Sequence, residues 1–367
     1  MKFRIIPCFT ITLLTLVLVS CNTGLPPATL TLSPEPTIIG SPTPAEKQIL
    51  TVITHDSFDV SENVVQAFQQ KYNAEVKFLS GGDTGTVLNK VILSKDKPLA
   101  DVFYGVDNTF LGRALQEGIF QPYKSPLLDQ IPDKFKLDPL NRALPVDYGD
   151  VCLNFDKIYF SENGLAIPQS LDDLVKPEYK SLLVVENPAT SSPGLAFLLA
   201  TIGHFGDPVY LDFWKNMVAN DVRVVNDWET AYYTEFSRYG GTRPIVVSYG
   251  SSPPFEIIYA EKPISEPSTE ALVADDTCFR QIEFVGILNG TPNQALAEKW
   301  VDFMLDTAFQ EDMPLKMFVF PVNPSVKMAT EFVKYLAIPK KTIILEPIDI
   351  DAKREAWIKA WTETVLR

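Results

Sequence analysis

From residue 50 onwards, short apolar runs alternate with longer segments in which apolar positions recur every three or four residues. The run 50–54 is β-rich, and the segment 61–72 that follows carries Val64, Phe68 and Tyr72 at helical spacing. The same alternation predicts strands at 76–79 and 101–104 and helices at 86–94 and 110–117. Strands that alternate with helices over such short connections are typical of a parallel, doubly wound sheet.

A second set of alternating elements follows residue 149. It comprises strands near 151–155, 181–185, 222–225 and 245–248, helices near 171–175, 194–204 and 210–219, a long strand at 278–288, and helices at 293–305, 308–313 and 350–365. The segments 144–149 and 280–284 are candidates for crossings between two lobes. We therefore predict a two-lobed α/β fold, in which each lobe is a mostly parallel sheet flanked by helices and a ligand cleft lies between the lobes.

The N-terminal residues have the pattern of an export signal. Lys2 and Arg4 precede an apolar run at 5–19 that is too short to span a bilayer permanently. The run ends in Leu-Val-Ser-Cys at 18–21, which resembles the bacterial lipobox, so Cys21 is expected to carry lipid. Several acyl chains would hold the protein stably on a membrane, whereas one chain binds marginally. The alternative is an ordinary signal peptide with a chance cysteine.

The pattern predicts five segments. The stretch after Cys21 is rich in proline, threonine and serine, which is typical of an extended tether. The chain beyond it is long enough for two lobes, since single cores stop growing near ~250–300 residues. The segments are a lipoprotein signal peptide at 1–20, the tether at 21–48, a first part of lobe 1 at 49–146, lobe 2 at 147–279, and a second part of lobe 1 with the C-terminal helix at 280–367.

Charge and cysteine content limit the partners. A net charge of −14 without a run of lysine or arginine argues against nucleic acid. Cys152 and Cys278 are the cysteines that remain after the predicted anchor. In an oxidising compartment such a pair favours a disulfide, and two buried thiols are the alternative, because bridged Cα atoms must come within ~7 Å. We expect a monomer.

Catalytic chemistry has few candidates in this chain. It holds two histidines, His55 and His204, and it lacks HExxH, CxxC and GxSxG motifs and a glycine-lysine phosphate loop. We therefore predict a binding protein, not an enzyme, with no metal and no cofactor. A surface-anchored hydrolase that uses paired acidic residues is the alternative from another class, and no motif supports it.

Two serine-proline motifs precede predicted helices. Ser191 and Ser192 stand before Pro193, and Ser251 stands just before Pro253, so each motif places serine at the N-cap and proline in the first turn. Helix N-termini present unpaired N–H donors, and two of them at a cleft would suit an anionic or strongly polar ligand group. Plain helix capping is the alternative.

Aromatic and acidic side chains recur near the ends of predicted strands. The aromatic residues are Trp228, Tyr232, Tyr249, Phe255 and Phe318, and the acidic residues are Asp83 and Asp107, with Thr84 beside Asp83. An aromatic ring attracts a cation by about 0.5–2 kcal/mol, and a carboxylate adds charge pairing. The set would suit a flat, positively charged heteroaromatic ligand, although packing in the core is the default for any one ring.

Five separated motifs carry a family resemblance. They are Leu-Thr-Val-Ile-Thr-His-Asp-Ser-Phe at 50–58, Ala-Asp-Val-Phe-Tyr-Gly-Val-Asp-Asn at 100–108, Pro-Val-Asp-Tyr-Gly at 145–149, Asn-Pro-Ala-Thr-Ser-Ser-Pro-Gly-Leu at 187–195 and Ser-Tyr-Gly-Ser-Ser-Pro at 248–253. In this order they resemble the periplasmic thiamine-binding proteins of ABC importers, from about residue 50 to the C-terminus. The resemblance implies a type II periplasmic-binding-protein fold, permease subunits as partners, and a location in the periplasm or on the outer face of the cell membrane.

The resemblance also implies a ligand, which is thiamine, its monophosphate or its diphosphate. Carried over by motif, Asp83 would lie near the thiamine moiety, and Trp228 and Tyr249 would flank its rings. Ser191 and Ser192 would face the hydroxyethyl or phosphate end. Both lobes would contact the ligand only in the closed state, so the ligand would shift the population towards the form that the permease recognises.

Three residues depart from the family pattern. His55 and Phe255 stand where the family often has tyrosine, and Phe318 where it often has tryptophan. Two hydroxyl donors are lost, and His55 adds a group that can titrate near neutral pH, so the preference among the three thiamine forms stays open. The predicted ligand-binding residues are His55, Asp83, Thr84, Asp107, Ser191, Ser192, Trp228, Tyr232, Tyr249, Ser251, Phe255 and Phe318.

Two other receptors of the same fold stay open. The adjacent Tyr232 and Tyr233 resemble the phenolate pair of ferric-ion receptors, and a hard cation would want further oxygen ligands from aspartate or glutamate. A polyamine receptor would also suit an acidic cleft.

Overall fold

The structure is a computed structural model that describes residues 47–343, 345 and 347–367. Lys47–Arg367 form one compact unit. The predicted signal peptide, Cys21 and all but the end of the predicted tether lie outside the described residues. Among the described residues, no single helix is long and apolar enough to cross a membrane, and one pair, Ser192–Phe205 with Tyr210–Ala219, meets those criteria only together and across a bend of 118°.

Strands and helices alternate along the described chain. The strands are β1 (Gln48–Thr54), β2 (Ala74–Ser80), β3 (Val102–Asp107), β4 (Phe120–Gln121), β5 (Leu144–Asp156), β6 (Leu183–Glu186), β7 (Arg223–Val225), β8 (Ile245–Tyr249), β9 (Thr269–Leu272), β10 (Phe279–Leu288) and β11 (Phe320–Pro321). The α-helices are α1 (Glu62–Tyr72), α2 (Thr84–Leu93), α3 (Leu111–Gln116), α4 (Lys157–Glu162), α5 (Ser192–Phe205), α6 (Tyr210–Ala219), α7 (Pro254–Ile258), α8 (Gln294–Leu305), α9 (Thr307–Lys316), α10 (Thr330–Lys334) and α11 (Pro347–Val365).

The strands form one sheet with two parallel halves. In the first half β1 pairs with β2 and β3, and in the second half β6 pairs with β7 and β8, all in parallel. Two antiparallel strands lie between the halves: β10 pairs with β3 and β5, and β5 pairs with β8. This arrangement confirms the predicted α/β fold, with the difference that the two predicted sheets are the halves of one continuous sheet.

The segments predicted to cross between lobes lie in the two middle strands. Residues 144–149 are the first part of β5, which continues without a break to Asp156, and residues 280–284 lie within β10. The predicted strand at 151–155 is therefore only the second part of a longer strand. The predicted lobe boundaries fall inside β5 and at the start of β10, and they stay a prediction.

The elements that the sequence pattern missed are short. They are β4, β9, β11, α4 and α10, the longest of which has 6 residues. The predicted helix at 171–175 is a 3-10 turn at Asp172–Val175. Elements this short carry too few residues to show a period.

Two helices show how the pattern of apolar residues determines how much of a helix is buried. In α1 one residue, Phe68, is buried, and its ring meets Trp300 with centroids 4.9 Å apart. Asn73, in the left-handed conformation, ends this helix. In contrast, α5 is buried from Ser192 to Ile202, as expected of a helix that is apolar on all sides. Its N-terminus lies at the cavity described below.

A disulfide ties the two middle strands. Cys152 lies in β5 and Cys278 immediately precedes β10, and their Cα atoms are 4.5 Å apart. The bridge lies where β5 begins to pair with β8 of the second half.

Candidate ligand-binding site

A cavity of about 340 Å³ is lined by residues from both halves of the sheet. Most of its walls come from segments at the carboxyl ends of strands: His55 follows β1, Asp83 follows β2, Ser192 follows β6, Trp228 follows β7, and Tyr249 ends β8. The carboxyl ends of parallel strands are where α/β folds bind ligands. The cavity is therefore the candidate site.

Asp83 connects the two halves inside the cavity. It caps α2 by accepting a hydrogen bond from the Thr84 N–H at 2.7 Å. Its oxygens also accept from the backbone N–H groups of Ser192 at 3.4 Å and Trp228 at 3.2 Å. Burial raises the pKa of Asp83 to about 6, and a hydrogen bond from Ser191 opposes the rise. The carboxylate of Asp83 thus lies at the N-terminus of α5.

Aromatic rings form the facing wall. Trp228 stacks on Tyr232 with centroids 4.9 Å apart and an angle of 16°, and its indole N–H donates to Ser248 Oγ at 3.1 Å. Tyr233 meets the Trp228 ring edge-on at 5.6 Å, and Tyr249 lies 6.5 Å from it. Trp228, Tyr233 and Tyr249 line the cavity, and Tyr232 supports Trp228 from behind.

Gln281 of β10 joins residues of both halves. Its amide N–H groups donate to Asp107 and to Ser192 Oγ, and its Oε1 accepts from the Tyr249 hydroxyl at 2.9 Å. Asp107 also accepts from the Thr109 N–H at 2.7 Å. Burial raises the pKa of Asp107 to about 6, against the hydrogen bonds from Thr109. Asp107 therefore acts on the site through Gln281.

A second pair of carboxyl groups lies on the middle strands. Glu283 lines the cavity, and Asp147 is fully buried behind it. The Tyr104 hydroxyl donates to Asp147 Oδ2 at 2.6 Å and lies 3.2 Å from Glu283 Oε2. Burial, reinforced by Asp107, raises the pKa of Glu283 to about 8. Burial and the neighbouring Glu283 hold the pKa of Asp147 well above its usual range.

His55 packs over Gly105 of β3. A Cβ atom at position 105 would collide with the His55 ring, and the φ of +102° there favours glycine. The His55 Nδ1 lies 3.0 Å from Ser57 Oγ, and its Nε2 lies 3.4 Å from Glu283 Oε1. Burial lowers the pKa of His55, against the attraction of Asp83. Burial therefore favours the neutral form of the ring.

Seven of the twelve predicted site residues line the cavity: His55, Asp83, Thr84, Ser192, Trp228, Tyr249 and Phe318. Phe318 has a φ of +62°, in the left-handed region. A bulky residue held there costs about 1–3 kcal/mol, and such strain clusters at functional sites.

The other five predicted residues are Asp107, Ser191, Tyr232, Ser251 and Phe255. The last four each contact a residue that lines the cavity, and Asp107 is the register partner of Glu283, which lines it. Ser191 caps α5 as predicted, because its Oγ accepts from the Gly194 N–H at 3.4 Å. The cap predicted at Ser251 is wrong: α7 begins at Pro254 with Pro253 as its N-cap, and the Ser251 hydroxyl donates instead to the Phe318 carbonyl oxygen.

The adjacent tyrosines do not converge on the cavity. Tyr232 is 1% exposed beneath Trp228, whereas Tyr233 is 44% exposed and lines the cavity. Both lie in a π-helical turn at Thr230–Glu235. Within the described residues, no group of three or more histidine, cysteine or acidic side chains is placed to hold a metal ion.

Several lining residues were not predicted as ligand contacts. They are Asp56, Ser57, Phe58, Asp59, Pro193, Glu229, Tyr233, Tyr259, Glu283, Lys316, Met317 and Val319. Phe58 lies in the motif at 50–58, which was a signal for it. Glu283 lies inside a strand, and only the pairing of β10 with β3 and β5 brings it to the site.

The fold and the position of the site define the class of protein. Residues 97–346 match the family of bacterial extracellular solute-binding proteins. A ferric binding protein from Campylobacter jejuni shares the fold with a TM-score of 0.70 at 16% identity, over 86% of this chain and 99% of that one. The chain belongs to the bacterial extracellular solute-binding proteins and has the type II periplasmic-binding-protein fold.

The similarity is more specific to one group of these proteins. The chain is 30% identical to the thiamine-binding periplasmic protein of Salmonella typhimurium over 328 residues, which cover 88% of this chain and 94% of the relative. A solved periplasmic thiamin binding protein matches with a TM-score of 0.76 at 28% identity, over 88% of this chain and 97% of that one. The resemblance to thiamine-binding proteins is confirmed. The chain is thus an exported solute-binding component of an ABC transporter and not an enzyme.

Proposed function

We propose that this protein binds thiamine in the cavity, as a lipoprotein on the outer face of the cell membrane, and delivers it to an ABC permease. The observation that supports the ligand is one cavity in which aromatic rings face buried carboxyl groups. Trp228 and Tyr249 supply the rings, and Asp83 and Glu283 supply the acids. Thiamine joins a permanently cationic thiazolium ring to an aminopyrimidine ring, so both features have a counterpart in the ligand.

The charge of the cavity supports a cationic ligand. Five carboxyl groups line it, those of Asp56, Asp59, Asp83, Glu229 and Glu283. The facing lysine, Lys316, is already paired with Asp59 at 3.0 Å. A cation that entered the cavity would therefore meet an excess of acidic groups.

The size of the cavity supports a small ligand. A volume of about 340 Å³ lies at the lower end of the ~300–1,000 Å³ that is typical of small-molecule sites. It suits two linked rings better than a large or extended molecule.

The N-terminus of α5 supports a preference for thiamine over its phosphates. A helix N-terminus ordinarily favours a phosphate group, but here Asp83 already accepts from the Ser192 N–H. A phosphate placed at that point would meet the carboxylate. We therefore propose that free thiamine binds more tightly than the diphosphate.

Delivery would use the two middle strands as a hinge. The lobes proposed for 49–146 with 280–367 and for 147–279 meet along β5 and β10. The cavity takes residues from both lobes, so a ligand contacts all of them only when the lobes are closed. Binding then shifts the population towards the closed form, which the permease is expected to recognise.

Isothermal titration of the purified full chain tests the ligand. Thiamine, its monophosphate, its diphosphate, ferric citrate and spermidine are titrated in parallel. We expect submicromolar binding of thiamine and weaker binding of the diphosphate. Binding of ferric citrate or spermidine without any thiamine form would contradict the proposal and favour one of the two alternative receptors.

The lipid anchor is tested by Cys21→Ser. The substitution removes the only thiol at the proposed lipidation position, so the variant should move from the membrane fraction to the soluble exported fraction. The matched control is Cys152→Ser, which changes a cysteine far from the anchor and should leave the protein on the membrane. Membrane association that survives Cys21→Ser would refute the anchor.

A further inference from the structure

Three carboxyl groups lie side by side across the middle of the sheet. Glu283 of β10 is the register partner of Asp107 on β3 and also of Asp147 on β5. Each of the three is at most 6% exposed. Adjacent strands lie about 5 Å apart, so the sheet holds three acids in one buried row.

The row has few groups that could balance its charge. Within the described part of the chain, the one basic side chain close to Glu283 is His55, with its Nε2 3.4 Å from Glu283 Oε1, and Asp107 and Asp147 make no ion pair with lysine or arginine. His55 is 5% exposed, and its Nε2 has no hydrogen-bond partner. Asp147 Oδ1 also lacks a donor. Both atoms are buried, polar and unpartnered, and one belongs to a residue that lines the cavity.

A proton shared by Asp147 and Glu283 would reduce the negative charge of the row and supply the missing donor. Tyr104 has a single O–H, and it donates to Asp147 Oδ2 at 2.6 Å. Asp147 Oδ1 has no donor among the described residues, and a proton held between Asp147 and Glu283, which are register partners on adjacent strands, would supply one. Two carboxyl groups this close in a buried site cannot both ionise without a cation. The Asp147–Glu283 pair is therefore suited to share one proton when no ligand is bound.

The surrounding groups do not supply that cation. Those that face Glu283 from the packed elements are Tyr104 and Asp107 on β3, Asp147 on β5, His55 and Asp56 after β1, Asp83 at α2, and Tyr249 on β8. All are acidic or neutral at neutral pH except for any protonated His55, whose pKa burial lowers. Lys316 lines the same cavity but is held by Asp59.

We propose that Glu283 is a further ligand-binding residue, which meets the positive charge of the ligand and releases the proton shared with Asp147 when the ligand binds. The acid becomes a carboxylate, and its proton passes to the solvent. The proposal rests on the proposed function for the identity of the cationic ligand. Glu283 fits this role because its side chain reaches the cavity from the strand that connects both halves.

The direction in which thiamine affinity changes with pH follows from the contact between Glu283 and the cationic ligand. A bound cation stabilises the ionised pair and lowers its pKa, so the complex holds fewer protons than the free protein. Affinity therefore rises with pH, by at most about tenfold per pH unit for one proton. Because the pKa of Glu283 is about 8 in the free protein, the rise should level off above that pH.

The test is calorimetric titration of the full chain with thiamine at pH 7.5 in two buffers of different ionisation enthalpy. The difference between the two observed enthalpies gives the number of protons released. At this pH, Asp83 and Asp107, with pKa values of about 6, are mostly ionised already. We expect release of a large fraction of one proton from the wild type.

Two variants test whether Glu283 is the source of the released proton. Glu283→Gln keeps the shape of the side chain and should release almost none, with affinity reduced at least tenfold and nearly independent of pH between 7 and 8. The matched control is Glu186→Gln, which changes another buried carboxyl group, 1% exposed, that does not line the cavity. This control should release as many protons as the wild type.

The outcomes separate this inference from the proposed function. If thiamine does not bind, the proposed function fails. If thiamine binds without proton release, or if Glu283→Gln releases as many protons as the wild type, the role of Glu283 is overturned while the function stands. If Glu283→Gln does not fold, the wild type alone decides, because a thiamine affinity that is flat from pH 6 to 8 overturns the inference.

Discussion

Replacement of Trp228 by alanine separates ligand binding from core packing. The Trp228 side chain stacks on Tyr232, donates to Ser248 and is 8% exposed, with the exposed part in the cavity. It therefore has one face in the core and one face towards the ligand. Trp228→Ala should weaken both ligand binding and folding.

The two losses differ in size. An aromatic residue at the centre of a binding site contributes about 2 kcal/mol or more, which is about a 30-fold loss of thiamine affinity. Removal of a fully buried tryptophan costs about 3–5 kcal/mol of stability. Since one face of Trp228 meets the cavity, we expect about half of that, ~2 kcal/mol, in the free energy of unfolding.

Phe236→Ala is the matched control. Phe236 is fully buried in the same aromatic cluster, with its ring 5.7 Å from Tyr232, and it does not line the cavity. Its substitution should cost about 3–5 kcal/mol of stability and leave the affinity of the folded protein unchanged. Affinity is measured by calorimetric titration well below the melting temperature, and stability by urea unfolding. If both variants lose affinity in proportion to stability, Trp228 is a core residue and the reasoning fails.

Three further predictions follow from the buried acids and the disulfide. First, Asp83→Asn should raise the affinity for the diphosphate relative to thiamine by about tenfold or more, because repulsion between a carboxylate and a nearby phosphate is worth several kcal/mol at an effective dielectric of ~20. Calorimetric titration of both ligands measures the ratio of the two affinities, and an unchanged ratio would contradict the prediction. Second, Glu283 has its pKa raised from 4.5 to about 8, so the folded state holds a proton that the unfolded chain releases. The stabilisation that protonated Glu283 contributes to the free energy of unfolding is therefore full below about pH 4.5 and falls as pH rises to about 8. Urea unfolding should show this fall more strongly in the wild type than in Glu283→Gln. Parallel pH profiles of the two proteins would refute the prediction. Third, joint replacement of Cys152 and Cys278 by serine opens a loop with a sequence separation of 126 and should cost about 2–5 kcal/mol, measured as a lower urea midpoint; an unchanged midpoint would show that the bridge does not stabilise the fold.

Much of the fold follows from local periodicity. The parallel pairs of the first half join strands that are close in sequence, with one helix between β1 and β2 and another between β2 and β3. Such βαβ units have only one common handedness and arrangement. The pairing of β5 with β10 joins segments more than a hundred residues apart, so the pattern predicted two crossings but not the continuous thirteen-residue β5.

The site was predictable where its residues end strands. Asp83, Ser192, Trp228 and Tyr249 were predicted from such positions, and all four line the cavity. Glu283 was missed because alternation inside a strand does not reveal which residues its neighbours bring beside it.

The different positions of Tyr232 and Tyr233 relative to the cavity could not be predicted from the sequence. From the sequence, Tyr232 and Tyr233 are equivalent candidates for a ligand contact, because the sequence does not show that the helix is irregular here. The π-helical turn at Thr230–Glu235 adds a residue to the turn, and Tyr232 lies beneath Trp228 while Tyr233 reaches the cavity. Periodicity does not predict such a turn.

A crystal structure of the protein with thiamine would show whether the cavity holds the ligand. We expect the ligand in the cavity, with its rings against Trp228 and Tyr249 and its cationic and amino groups within reach of Asp83 and Glu283. A ligand bound elsewhere, or an ion held by Tyr233 in place of thiamine, would contradict the account.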